Sequence, residues 1–153
     1  MLDSYSTQEL DFYMKKALAA SKKAVGKTED NPPVGCVIVE HHQILATGYT
    51  QPPGQDHAEA QALRQLESKN LEQAICFVTL EPCSFHGRTP SCAQALVRRK
   101  IHRVVVSILD PHPKNQGAGI QILKEAHMEV ILGILESEIR PFLEPFLYKN
   151  PLS

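Results

Sequence analysis

Apolar positions follow two different spacings along this chain, and the change from one to the other sets out its elements. Near the N-terminus Leu10, Met14, Ala17 and Leu18 recur at helical spacing, and Ser6-Thr7-Gln8-Glu9 before them has capping-box form. The pattern predicts a helix over about 7–25. The run from Val34 to Glu40 is rich in β-branched residues. Ile44 to Tyr49 returns after the polar His41-His42-Gln43, so the two read as a hairpin. Pro52-Pro53-Gly54 marks a loop. A helix then opens at His57, with Ala60, Leu63, Leu66 and Leu71 facing the core.

Two later runs are short and almost wholly apolar. Ile75 to Leu80 (ICFVTL) and Arg103 to Leu109 (RVVVSIL) are bounded by loop residues and read as strands buried on both faces. Helices are expected from Pro90 to about Arg99 and from Gly117 to Ala126, a strand from Met128 to Leu132, and a last helix from Ser137 to Tyr148, kinked at Pro141 and Pro145. This order predicts an α/β three-layer α/β/α sandwich around a five-stranded mixed sheet. Ligand sites in such sheets gather outside the carboxyl ends of strands, the edge where His57, Cys83, Cys92 and Asp110 fall. A length of 153 residues fits a single domain, 1–153.

Composition narrows the function classes. A net charge of −1 offers no general field for nucleic acid. The basic run Arg98-Arg99-Lys100 with His102 and Arg103 reads as a solvated helix end. The opening MLDSYSTQEL has no leader-like pattern, and no apolar run approaches the ~20 residues of a membrane span. A cytoplasmic location is expected. Of the four cysteines, Cys36 and Cys76 sit in apolar runs and read as core, whereas Cys83 and Cys92 sit in a polar loop. A disulfide between those two is one reading. His57 and Glu59 nearby make a metal the better one. His41-His42 reads as an exposed turn.

His57, Cys83 and Cys92 form a catalytic-type zinc donor set, three protein ligands with one position left for water. Glu59, two residues from His57, is placed to act as proton carrier. The pattern matches the zinc-deaminase signature H-x-E…P-C-x-x-C, except that eight residues separate the cysteines. Zinc makes water a nucleophile near neutral pH, and a nearby carboxylate can act first as base and then as acid. The backbone N–H groups of Ala58 and Cys83 are candidate donors to substrate. Glu81 reads as a polar strand end, with support of the site as the alternative.

The stretch Glu81-Pro82-Cys83-Ser84-Phe85-His86-Gly87-Arg88-Thr89-Pro90-Ser91-Cys92, together with Asn31-Pro32-Pro33-Val34-Gly35-Cys36-Val37-Ile38-Val39 and Asp110-Pro111-His112-Pro113, resembles the pyrimidine deaminase domain of riboflavin biosynthesis. The resemblance runs from about Leu10 to about Leu147 and implies a cytidine deaminase-like fold. It implies deamination of 2,5-diamino-6-(5-phosphoribosylamino)pyrimidin-4(3H)-one, with Asn31 on the pyrimidine, Arg88 on the sugar phosphate and Asp110 on further polar groups. Thr50, Phe85 and His112 occupy pocket positions where the common bacterial pattern carries His, His and Asn. The alternatives are therefore a ribitylamino-pyrimidine phosphate, another aminopyrimidine or purine, or a tRNA base. Relatives usually continue into an NADPH-dependent reductase. No Gly-rich dinucleotide motif is present here, so a lone deaminase domain and a separate reductase are expected, with a homodimer or larger assembly. The reading from another class is a structural zinc module or silent binding protein, with His86 as fourth ligand.

Overall fold

In the computed structural model, which describes residues 4–29, 31–84 and 91–148, five strands form the middle layer. They are β1 (Gly35–Glu40), β2 (Gln43–Tyr49), β3 (Ile75–Leu80), β4 (Arg103–Ile108) and β5 (Glu129–Leu132). Their order is β2-β1-β3-β4-β5. β1 is antiparallel to β2 and β3, while β3, β4 and β5 are parallel. The helices are α1 (Thr7–Lys22), α2 (Ala58–Arg64), α3 (Cys92–Arg98), α4 (Ala118–Glu125) and α5 (Glu136–Leu143), followed by a 3-10 turn at Glu144–Phe146. The expected three-layer sandwich with a mixed five-stranded sheet is the fold observed. Among the described residues no helix is long and apolar enough to cross a membrane.

Side-chain alternation in the sheet builds two cores. Val37, Val39, Phe77 and Val105 meet Met14 and Ala17 of α1 and Ile139 and Leu143 of α5 on one face. Ile38, Cys76, Val78, Val104 and Val106 meet Ala62, Leu63, Leu96 and Leu123 from α2, α3 and α4 on the other. β3 has six buried residues out of six, as its apolar run requires.

Local chemistry accounts for the ends of the elements. Ser6 and Glu9 form the capping box of α1 in both directions. The hairpin tip is two residues, His41 (φ 50°) and His42 (φ 62°), left-handed at both as a tight twisted hairpin demands. Left-handed backbone is uncommon for any residue but glycine, and tertiary bonds hold it there. The Tyr13 hydroxyl donates to the His42 carbonyl (2.5 Å), the His42 N–H donates to the Tyr5 hydroxyl (2.9 Å), and His42 Nδ1 lies 2.6 Å from Glu9. The pair is the exposed turn expected, and these bonds anchor it.

Three boundaries differ from the sequence expectation. α1 stops at Lys22, and turns lead on to a left-handed Gly26 (φ 83°). α2 ends at Arg64 and buries Ala58, Glu59, Ala62 and Leu63, so the inward face carries Glu59 where Ala60 was expected. Beyond Leu143 the chain tightens into the 3-10 turn containing Pro145 instead of running helical to Tyr148. α3 starts at Cys92 with Ser91 as its cap, and Pro90 lies outside the described residues.

The seat of α2 on the sheet depends on Gly48. A Cβ there would lie 2.2 Å from the Ala58 carbonyl oxygen and 2.8 Å from the Ala62 nitrogen, both backbone atoms. A methyl at this position must push α2 outward. Gly48→Ala is therefore expected to cost about 1–3 kcal/mol, read as a lower urea midpoint at unchanged slope. An unchanged midpoint would show that α2 is free to withdraw and that the glycine does not set its distance.

Candidate active site and metal centre

β3 ends at Leu80, and Glu81-Pro82 carries the chain out of the sheet to Cys83. This is the carboxyl edge where the N-termini of α2 and α3 also arrive. Cys92 opens α3, and its backbone N–H donates to Cys83 Sγ (3.2 Å); the next N–H, of Ala93, donates to the Cys83 carbonyl (3.1 Å). His57 caps α2 from an extended backbone. Its Nδ1 lies 3.3 Å from Cys92 Sγ and 3.8 Å from Cys83 Sγ. Together the three donor atoms lie within 4.8 Å of one another, and this is the metal-ligand group found among the described residues.

The donor set fits zinc by chemistry and by distance. Two thiolates and an imidazole are zinc ligands, and Zn–S of about 2.3 Å with Zn–N of about 2.05 Å at tetrahedral angles places S and N about 3.6 Å apart. The two observed S···N distances, 3.3 and 3.8 Å, straddle that value.

Without a cation the group shares its charge unevenly. The Cys92 thiol and then the His57 imidazole hydrogen-bond to Cys83 and bring its pKa down to about 4. The bond to Cys83, opposed by burial and aided by Glu59, lifts His57 to about 9. Cys92 is pushed well up by its bond to Cys83 and by burial, so it keeps its proton. Glu59 is 4% exposed. Burial first, then the Cys83 charge, raises its carboxyl to about 7, while the His57 charge and, less strongly, a hydrogen bond from Cys92 work the other way. Glu59 is thus beside the sulfur pair, on the inward face of α2.

A cavity of about 480 Å³, in the size range of small-molecule sites, opens over this group. His57, Glu59 and Cys83 line it. Asn31 and Thr50 line one side, Asp110 and His112 another. Asn31 is exposed, and its backbone is bound to Thr28 at both the N–H and the carbonyl. The Thr50 hydroxyl accepts from the Val34 N–H (2.9 Å) and donates to the Pro32 carbonyl (3.2 Å), tying the two loops of that wall together. The Asp110 carboxylate accepts from the His112 N–H (3.0 Å) and from Asn115 Nδ2 (3.4 Å). Ala58 is fully buried and packs into the core beneath, so its side chain is not part of the lining. Phe85, His86 and Arg88 lie outside the described residues.

Sequence reasoning missed part of the wall. Phe146, Leu147 and Tyr148 line the cavity, with the Tyr148 ring 5.1 Å from that of His112. Helical spacing had assigned these residues to a terminal helix, and nothing in that spacing signals a cavity wall.

Known proteins are similar to this chain in sequence and in fold. The cytidine and deoxycytidylate deaminase zinc-binding region matches residues 7–108. The riboflavin biosynthesis protein RibD of Aquifex aeolicus is 46% identical over 88% of this chain, which spans 37% of that protein. A diaminohydroxyphosphoribosylamino-pyrimidine deaminase of Buchnera aphidicola (subsp. Acyrthosiphon pisum) is 42% identical over 88% of this chain and 91% of its own length. The crystal structure of a diaminohydroxyphosphoribosylaminopyrimidine deaminase/5-amino-6-(5-phosphoribosylamino)uracil reductase from Thermotoga maritima superposes with a TM-score of 0.87 at 35% identity, covering 93% of this chain and 41% of that one.

The charge distribution has a measurable consequence. A metal needs neutral imidazole and two thiolates. Below about pH 9 His57 must release a proton to bind it, Cys92 must release another, and Cys83 above about pH 4 releases none. Zinc uptake by metal-free protein at pH 7.5 is expected to release about two protons, and apparent affinity to rise by about two log units per pH unit until His57 is neutral. Calorimetry in buffers of different ionisation enthalpy counts them. Release of none would show that the imidazole and Cys92 are not the proton-bearing ligands.

Proposed function

The chain belongs to the riboflavin-biosynthesis deaminases of the cytidine and deoxycytidylate deaminase family, and on that premise we propose that it converts 2,5-diamino-6-(5-phosphoribosylamino)pyrimidin-4(3H)-one and water to 5-amino-6-(5-phosphoribosylamino)uracil and ammonia. One observation carries the reading: a buried carboxyl, Glu59, lies beside a His/Cys/Cys triad suited to zinc, in the wall of a cavity large enough for a pyrimidine.

Zinc held by His57, Cys83 and Cys92 supplies the Lewis acidity that makes water a nucleophile near neutral pH. The rest falls to the chain's own residues. Glu59 takes the proton that the attacking water loses and delivers it to the ring nitrogen next to the amidine carbon. It then takes the second proton of that oxygen to the departing amine, so the C–N bond breaks as the new C=O forms. A carboxyl raised by burial exchanges protons in both directions near neutral pH, which suits the double role. The N–H groups of Ala58 and Cys83 donate to the ring. Asn31 and Asp110 meet its polar edges, with Thr50, Phe85 and His112 shaping the pocket. Arg88 takes the ribose phosphate through its planar fork of donors. This reading includes a cytoplasmic homodimer or larger assembly.

Glu59→Gln keeps the shape and removes the proton carrier. It is expected to retain zinc and lose about 10²–10⁴-fold in kcat. Cys83→Ala is expected to lose the metal as well. Ammonia release from the purified protein supplied with the phosphoribosylamino pyrimidine, with zinc measured on the same samples, checks both. Wild-type turnover in Glu59→Gln would remove this residue from the mechanism.

A further inference from the structure

Glu81 is 3% exposed, and its carboxylate is fully engaged with backbone. Oε1 accepts from the N–H of Asp110 (3.1 Å) and of Gly117 (2.9 Å), and Oε2 accepts from the N–H of Ile120 (3.1 Å). All three donors lie on one segment, the corner that leaves β4 and enters α4, between 29 and 39 residues away in sequence. A second set of contacts joins the same corner to Pro82. Asn115, itself buried, donates from Nδ2 to the Pro82 carbonyl (3.2 Å) and accepts from the Gly119 N–H at Oδ1 (3.2 Å). Gly119 comes so close that a Cβ there would lie 1.9 Å from the Pro82 carbonyl oxygen.

A strand-end carboxylate that merely met water would need none of this. The corner is fastened to Glu81-Pro82, the two residues before Cys83, and its first residues, Asp110 and His112, are a wall of the cavity. We propose that Glu81 is a positioning residue for substrate: it fixes the Asp110–His112 wall at a set distance from Cys83 and Glu59, so that a ring bound between them meets both. This inference rests on the deaminase reading of the site. Glu81 borders the cavity itself, and with both carboxylate oxygens taken by backbone N–H groups it acts through the corner it holds.

The decisive variant is Glu81→Gln. It keeps the size of the side chain and one oxygen for two of the N–H donors, but turns an NH₂ toward the third. Amide exchange at Asp110, Gly117 and Ile120, zinc content, and KM and kcat for the phosphoribosylamino pyrimidine are measured together. The expected result is unchanged zinc, exchange at these amides faster by about tenfold or more, KM raised about tenfold and kcat within about threefold, the scale of one lost charge-assisted bond acting on ground and transition state alike. Faster exchange with unchanged KM would make Glu81 a stabilising staple only and overturn the proposal. Loss of zinc would overturn it in favour of support for the metal ligands. If Glu81→Gln does not fold, Gly119→Ala leaves the carboxylate in place and drives α4 away from Pro82; the same rise in KM is then expected, and its absence overturns the proposal. Wild-type protein without turnover sinks the deaminase reading itself, whereas wild-type turnover with unchanged KM in the variants sinks this inference alone.

Discussion

Two thiols, an imidazole and a buried carboxyl crowd together at one end of β3, and the rest of the structure serves to hold them there. Such a group repels itself unless a cation or protons intervene. With no cation the proton distribution compromises: Cys83 carries the negative charge, His57 the positive one, and Cys92 and much of Glu59 stay protonated. A divalent ion resolves the conflict by replacing those protons, which is the physical reason the cluster reads as a metal centre rather than as a hydrogen-bonded core.

Precision in that cluster comes from the sheet. β3 is buried on both faces and paired on both sides, antiparallel to β1 and parallel to β4, so its end is fixed in three dimensions. Two glycines then let helices approach to backbone contact. Gly48 admits α2, which brings His57 and Glu59, and Gly119 admits the start of α4, which brings the Asp110 corner against Pro82. α3 is attached more directly, through its first N–H groups to the sulfur and carbonyl of Cys83. α2, α3 and α4 each come to this edge by the N-terminal end.

Much of this was legible in the sequence because it is local. The unbroken apolar runs of β3 and β4, the capping box at Ser6, and the order of strands and helices follow from spacing that is read within a dozen residues. The His57, Cys83 and Cys92 group was legible for another reason: these residue types occur together for chemistry more than for packing. The rest depends on distant partners. Glu59 turns inward where Ala60 was expected, because the face of α2 is set by its fit against Gly48, not by the apolarity of its own turn. Glu81 looked like an ordinary strand end, since its three N–H partners lie in a segment with no pattern pointing back to it. Tyr148 was assigned to a helix that the chain does not extend so far.

X-ray absorption at the zinc edge of the purified protein tests the central claim most directly. The account predicts one zinc per chain with two sulfur scatterers at about 2.3 Å and two lighter atoms at about 2.0–2.1 Å, of which one shows imidazole scattering. A sphere closed by a third sulfur or a second imidazole, or protein that takes up no stoichiometric zinc, would contradict it.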